Sequence, residues 1–178
     1  MIYILIGCFT FLVLMDQISK AVAVQLLGNV GASCKFIPHI LRLEYRENTG
    51  MAWGLLKDAR IFFIIITLLL CGLMLFFMIK QRRNMPKLVS LSLSVILAGA
   101  VGNFIDRVFL GYVRDFLAFD FFDFPVFNLA DSYVTIGAAL LIIVLFFTKQ
   151  GKAFIKYLES EEDARIERHK DRNKQNAE

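Results

Sequence analysis

The sequence contains few of the residues that build metal and disulfide sites. Its two histidines, His39 and His169, lie far apart, and its three cysteines, Cys8, Cys34 and Cys71, form no CxxC pair. Zinc sites take closely spaced histidine and cysteine ligands, and disulfide frameworks take an even number of cysteines. We therefore expect no metal, no metal-dependent cofactor and three free thiols.

Long stretches of the chain also lack charge. The 178 residues are 57% hydrophobic, with a mean hydropathy of +0.60, whereas an ordinary soluble domain is about 45–50% apolar. A helix of about 20 residues crosses a hydrocarbon core about 30 Å thick. We predict an all-α membrane protein with one transmembrane domain over residues 1–150. Its four spans are Met1–Leu27, Ile61–Ile79, Leu88–Ile105 and Val126–Thr148.

The net charge is +4, and most of the basic residues lie in two places, the loop Lys80–Lys87 and the tail after Lys149. Short cytoplasmic loops of membrane proteins are enriched in Lys and Arg. We therefore expect this loop and both termini in the cytoplasm, and we infer no nucleic-acid partner. Residues 151–178 are charged throughout and predict a cytoplasmic tail. We expect it to extend the fourth span as a helix and to become partly disordered.

The segments between the spans on the opposite side carry a different pattern. Residues 41–46 alternate between apolar and charged side chains, which predicts a small extracytoplasmic β-structure within residues 28–60. Asn48-Thr49-Gly50 then provides a turn signal. Trp53 and the aromatic segment Phe119–Phe124 are typical of anchors at the membrane interface, with Asp120 and Asp123 solvated.

The buried polar residues all fall at the outer end of the predicted bundle, once Lys and Arg have set its orientation. An ionisable group at membrane depth costs several kcal/mol, so it normally faces the bundle interior and marks a functional site. The residues concerned are Asp16, Asn103, Asp106, Arg107, Asp115, Asn128 and Asp131.

Several of these residues also have a purely structural interpretation. Asp16 and Lys20 are an i, i+4 pair on one helix face and are placed to neutralise each other. Asp106 and Arg107 fit a clamp between helices. Asn48 fits an ordinary turn residue. Asp16, Lys20 and Asn48 are nevertheless retained as candidates for the site, as are Asp106 and Arg107.

Asp115 and Asp131 stand apart, because they come from separate elements on one side of the membrane and no cation is an obvious partner of Asp131. Two carboxylates in a low-dielectric site cannot both ionise cheaply, so one retains a proton. Such a pair can activate a water against a peptide carbonyl and protonate the leaving amine. The sequence offers no Ser/His/Asp set and no reactive Cys/His pair for the same task.

Three other interpretations stay open at this point. Membrane carboxylates also serve proton-coupled transporters and channels, although these residues line no path across the membrane. A non-catalytic scaffold could use the charged tail to bind partners. Leu5-Ile6-Gly7-Cys8 has the form of a lipobox, but only seven residues precede Cys8, too few for a charged segment and an apolar segment.

Five short motifs follow one another between residues 16 and 132. They are Asp16-Gln-Ile-Ser-Lys20, Asn48-Thr-Gly-Met-Ala-Trp53, Asn103-Phe-Ile-Asp106-Arg107, Gly111-Tyr-Val-Arg-Asp115-Phe116 and Phe127-Asn128-Leu-Ala-Asp131-Ser132. Each is weak alone, but together and in this order they resemble the signature of the lipoprotein signal peptidases, the signal peptidase II family.

The resemblance implies an intramembrane aspartic endopeptidase of the bacterial cytoplasmic membrane, with Asp115 and Asp131 as its catalytic pair near the outer surface. The implied substrates are prolipoproteins modified with diacylglycerol, cut immediately before the lipid-modified cysteine. Neither cofactor nor metal is implied. We expect the enzyme to be monomeric and to have prolipoprotein substrates and membrane lipid as its partners. Residues that shape the site or the substrate region would be Asp16, Lys20, Asn48, Asn103, Asp106, Arg107 and Asn128.

Overall fold

The computed structural model describes residues 2–50 and 59–175, within which four helices are long and apolar enough to cross a membrane. They are α1 (Ile2–Leu27), α2 (Arg60–Lys80), α3 (Lys87–Phe109) and α4 (Leu129–Phe147). The prediction of four helical spans is confirmed. The fourth begins at Leu129 rather than Val126, because Asn128 is its N-cap.

Helix α3 lies at the centre of the bundle and packs against α1, α2 and α4. In its apolar segment 56% of the residues are buried, compared with 17% in α4 and 6% in each of α1 and α2. Glycine lets α3 and α4 approach closely, since a Cβ on Gly137 would lie 2.8 Å from Cγ1 of Ile96. The outer faces of α1, α2 and α4 are apolar and exposed, as lipid-facing surfaces are.

The structure also contains a three-stranded antiparallel sheet in the order β1-β2-β3. It agrees with the prediction of an all-α membrane protein that carries a small β-structure. Strand β1 covers Ser33–Ile37, β2 covers Leu41–Asn48 and β3 covers Val113–Phe119. The alternation at residues 41–46 predicted β2 correctly. Strand β3 was not predicted, because it is buried without regular alternation and so lacks the period-2 signal.

The charged tail begins with a separate helix, α5 (Lys149–Gln175), rather than with a continuation of α4. Thr148 interrupts the helix with an extended backbone (φ −103°, ψ 150°). Phe154 in α5 is buried in a cluster that closes the end of the bundle near the α2–α3 loop. Its buried partners are Met85, Val89, Leu93 and Val144. The first turns of α5 are therefore part of the hydrophobic core.

Candidate active site

Asp115 lies on β3 and is buried, with 2% of its surface exposed. Nδ2 of Asn128 donates to Oδ1 of Asp115 at 2.6 Å, and Nδ2 of Asn48 donates to Oδ2 at 2.9 Å. Asn48 reaches Asp115 because β2 pairs with β3, with Arg46 opposite Asp115. Oδ1 of Asn48 also accepts the backbone N–H of Gly50 at 2.9 Å. Asn48 is therefore both the predicted turn residue and a contact of the candidate site.

Asp131 is held by the first turn of α4. Its backbone N–H donates to Oδ1 of Asn128 at 3.0 Å, and the backbone N–H of Asn128 donates to Oδ2 of Asp131 at 3.1 Å. This reciprocal arrangement is a capping box, which satisfies free N–H groups at a helix start. Oδ1 of Asp131 accepts from Nδ2 of Asn103 at 2.7 Å. The local sequence that starts the helix therefore also fixes the carboxylate.

Asn103 and Asn128 connect the two carboxylates. Nδ2 of Asn128, which binds Asp115, also lies 3.1 Å from Oδ1 of Asn103. The same Oδ1 accepts from Nζ of Lys20 at 2.9 Å, which fixes the orientation of the Asn103 amide and turns its Nδ2 toward Asp131. Residues on α3, on β3 and at the start of α4 thus form one continuous hydrogen-bond network.

The pKa of Asp115 rises to about 7, chiefly because burial disfavours the charged form and also because Asp131 lies nearby. Hydrogen bonds from Asn48 and Asn128, together with the charge of Lys20, act in the opposite direction. At neutral pH the protonated and the ionised form of the Asp115 carboxyl group are therefore both present. A group in this condition can both give and accept a proton during a reaction.

The Asp16–Lys20 pair is a buried ion pair behind the site. Nζ of Lys20 lies 2.8 Å from Oδ2 of Asp16 and 3.5 Å from Oδ2 of Asp106, and the side chains of all three are fully buried. Oδ1 of Asp16 accepts the backbone N–H of Ala130 at 2.9 Å, in the first turn of α4. The pair is positioned to neutralise itself, and it also ties α1 to α3 and α4 and supports Asn103.

Two further residues, Gln17 and Arg114, complete this network and were not among the site residues predicted from the sequence. Arg114 donates to Asp106 from its backbone N–H at 2.9 Å and from Nη2 at 2.7 Å, and Nη2 also binds Oε1 of Gln17 at 2.9 Å. Neighbouring strand residues point to opposite faces, so Arg114 faces away from Asp115. Asp106 therefore clamps α3 to β3 and α1, with Arg114 rather than the adjacent Arg107 as its guanidinium partner.

Arg107 points to a different part of the site. Its guanidinium lies 4.9 Å from the ring centroid of Phe63, and its Nη2 lies 3.4 Å from the carbonyl oxygen of Gly50. Arg60 donates to the carbonyl oxygens of Arg107 and Val108 at 2.7 Å and closes the end of α3. The segment after Gly50 contains Trp53, which lies outside the described residues, so its anchoring role stays a prediction.

Known proteins are similar to this chain over most of its length. Residues 8–147 match the family model of signal peptidase (SPase) II. The lipoprotein signal peptidase of Enterococcus faecalis is 43% identical over 155 residues, which cover 85% of this chain and 94% of that protein. The Staphylococcus aureus (strain MRSA252) protein of the same name is 41% identical over 144 residues, covering 80% and 87%.

Two solved structures, each described as a bacterial membrane enzyme, have the same fold. One aligns with a TM-score of 0.75 and 39% sequence identity, covering 82% of this chain and 88% of the other. The second aligns with a TM-score of 0.73 and 37% identity, covering 84% and 96%. Both alignments therefore cover more than four-fifths of this chain.

Proposed function

Because this chain belongs to the signal peptidase II family, we propose that it removes signal peptides from diacylglyceryl-modified prolipoproteins, using Asp115 and Asp131 as its catalytic pair. The family resemblance of the sequence motifs is confirmed. Membership of an aspartic peptidase family decides against the transporter and the scaffold as the main function.

The assignment of Asp115 and Asp131 as a pair is supported chiefly by Asn128, which contacts both carboxylates. Its side chain donates to Asp115, and its backbone N–H donates to Asp131. Carboxylates from a strand and from a helix are thereby directed toward one place. Two carboxylates with different surroundings can hold different protonation states at one pH, which is the requirement of an acid–base pair.

The surroundings of the two carboxylates suggest their roles. Asp131 accepts hydrogen bonds from Asn103 and from the backbone of Asn128, which hold its carboxylate in place. We assign it as the general base that takes a proton from the attacking water. Asp115, whose pKa is raised to about 7, holds the proton that is given to the carbonyl oxygen. The proton that Asp131 takes from water then passes to the leaving amine, and Asp115 recovers a proton from a hydroxyl of the tetrahedral intermediate as the C–N bond breaks.

We also propose that the enzyme acts as a monomer with both termini in the cytoplasm and the active site near the outer membrane surface. A single chain supplies both carboxylates and every residue that contacts them in the described structure. The basic loop Lys80–Lys87 supports this orientation. The carboxylate network, at the opposite end of α3 from this loop, then faces outward.

The decisive experiment is a cleavage assay with a diacylglyceryl-modified prolipoprotein. Asp115→Asn and Asp131→Asn should each lower the rate by about 1,000-fold or more, because asparagine cannot exchange the proton. The double variant should be no slower than either single variant, since the two groups act as one unit. Asp123→Asn, at an exposed position in the neighbouring loop, is the matched control and should cleave normally. Substantial turnover by a folded single variant would refute the assignment.

A further inference from the structure

An apolar cavity of about 650 Å³ lies between α1, α2 and α3, and the residues that line it do not include Asp115 or Asp131. Leu5 and Phe9 of α1 form one wall, Leu75 and Met78 of α2 form the other, and Leu97 of α3 forms the floor. This volume is within the range of about 300–1,000 Å³ found for small-molecule sites. The walls would accommodate an apolar chain.

One end of this groove is positively charged. Arg82 and Arg83, in the loop between α2 and α3, line it with exposed side chains. Within residues 2–50 and 59–175 neither guanidinium is joined to a carboxylate, whereas the nearby Lys80 lies 3.8 Å from Glu161. No described lining residue is acidic. The two arginines are therefore available to an anion at the membrane surface.

The remaining polar side chains of the groove are already engaged. The hydroxyl group of Ser90 donates to the carbonyl oxygen of Pro86, and that of Ser94 donates to the carbonyl oxygen of Leu5, each at 3.3 Å. Their requirement for hydrogen bonds is met within the protein. The polar groups of the groove that remain available for a ligand are therefore the two cations, Arg82 and Arg83, at one end.

We propose that this groove binds a diacyl phospholipid with an anionic headgroup. Its phosphate would lie against Arg82 and Arg83, and an acyl chain would lie along the apolar walls. Basic pockets between membrane helices bind anionic headgroups, and the planar guanidinium matches phosphate geometry. The helix of a signal peptide fits less well, because its basic N-terminal region would face two arginines.

Native mass spectrometry of the detergent-purified full chain tests the headgroup preference. With equal amounts of dioleoyl phosphatidylglycerol and dioleoyl phosphatidylcholine, adducts of the anionic lipid should dominate. Arg82→Gln/Arg83→Gln should weaken phosphatidylglycerol binding by about fivefold per arginine, which corresponds to about 1 kcal/mol for each basic residue near an anionic lipid. Arg165→Gln/Arg168→Gln removes the same charge from exposed positions of α5 and should leave binding unchanged.

Labelling of the native thiols tests the position of the chain. Cys71 lines the groove, and the exposed Cys34 on β1 provides a reference in the same molecule. Phosphatidylglycerol should slow the reaction of Cys71 with an apolar maleimide and leave that of Cys34 unchanged. Leu75→Trp, which fills the groove, should abolish both the protection and the adduct.

Three results would overturn the proposal. Equal binding of the two lipids would show that the arginines do not select an anion. An equal loss of binding in the α5 control would show that only net charge matters. Protection of Cys71 by a synthetic signal-peptide helix, and not by phosphatidylglycerol, would assign the groove to the peptide. Neither measurement depends on peptidase activity, so both remain valid whatever the roles of Asp115 and Asp131.

Discussion

Nδ2 of Asn128 lies 2.6 Å from Oδ1 of Asp115, so the N-cap of α4 is also a hydrogen-bond donor to a buried carboxyl group on β3. The start of the helix and the position of the carboxyl group are therefore coupled. Any movement of the first turn of α4 would move Asp131 and release Asp115 together. This coupling allows the two functions of Asn128 to be separated by substitution.

Replacement of Asn128 by serine or alanine should separate capping from support of the site. Serine is a good N-cap but cannot supply the amide donor to Asp115, whereas alanine supplies neither. Both variants should cleave about 10–100-fold more slowly, since a hydrogen bond to a charged group contributes about 1.5–3 kcal/mol. The two variants differ in stability only through the helix cap. The free energy of unfolding of Asn128→Ala should therefore be about 1 kcal/mol lower than that of Asn128→Ser. Normal cleavage by Asn128→Ser, measured beside thermal unfolding, would contradict the donor role.

The pH profile of cleavage should fall on its alkaline side near pH 7, where Asp115 loses its proton. Asn48→Ala removes a hydrogen bond that favours the ionised form, so the pKa of Asp115 should rise and the alkaline fall should move to higher pH. Asp123→Asn should leave the profile in place. An alkaline fall that Asn48→Ala does not move would show that another group controls it.

The raised pKa of Asp115 also has a consequence for stability. The folded protein keeps this proton up to about pH 7, whereas the unfolded chain releases it near its ordinary pKa of 3.8. The contribution of Asp115 to stability therefore falls as the pH rises between these values, by an amount on the order of 4 kcal/mol. In Asp115→Asn this decline should be absent, which a comparison of detergent-induced unfolding at pH 4.5 and 7.5 would measure.

Arg114 should act by holding β3 against the bundle. Arg114→Ala removes the guanidinium that binds Asp106 but keeps the backbone N–H donor, and the loss of the guanidinium should cost about 2–4 kcal/mol of unfolding free energy. Arg114→Lys keeps the charge but loses the planar fork that binds both Asp106 and Gln17, so its loss should be intermediate. Arg46→Ala, on the neighbouring strand and 57% exposed in its side chain, is the control and should change stability little. Equal stability of all three variants would exclude this positioning role.

The sequence predicted the spans and the grouping of the polar residues because both follow from composition along the chain. Long apolar runs mark α1–α4, and the basic loop predicts their orientation across the membrane. Strand β3 escaped prediction because burial of both faces removes the alternation. The Arg114–Gln17 contact could not be foreseen, since the choice of partner depends on how β3 meets α1. For α5, the i, i+3, i+4 spacing of Phe154, Tyr157 and Leu158 was a signal, but it was obscured by surrounding charge.

Membrane topology can be tested with native and introduced cysteines. Cys34 is exposed on β1 and should react with an impermeant maleimide in intact cells once Cys8 and Cys71 are replaced by serine. Arg83→Cys in a chain without other cysteines should react only after permeabilisation, because the basic loop is expected in the cytoplasm. Labelling of the Arg83→Cys variant from outside would invert the orientation and place the active site at the inner surface.

The lipid on the substrate should determine which peptide bond the enzyme can reach. Asp115 and Asp131 occupy fixed positions at one end of the bundle, so they can act only on a peptide bond held at that depth. Two acyl chains would provide this restraint, since each buried CH₂ contributes about 0.8 kcal/mol to membrane anchoring. They would also orient the scissile bond before reaction, which lowers the entropic part of the barrier.

The enzyme should therefore cut a diacylglyceryl-modified prolipoprotein at least about 100-fold faster than the same peptide without lipid, and immediately before the modified cysteine. Product masses and rates for the matched substrates in detergent micelles would measure both effects. Free diacylglycerol added to the unmodified peptide is the control, and it should not restore the rate, because only a covalent link fixes the bond relative to the membrane. Equal rates for the two peptides would exclude lipid anchoring as the source of alignment, even with Asp115 and Asp131 established as the catalytic pair.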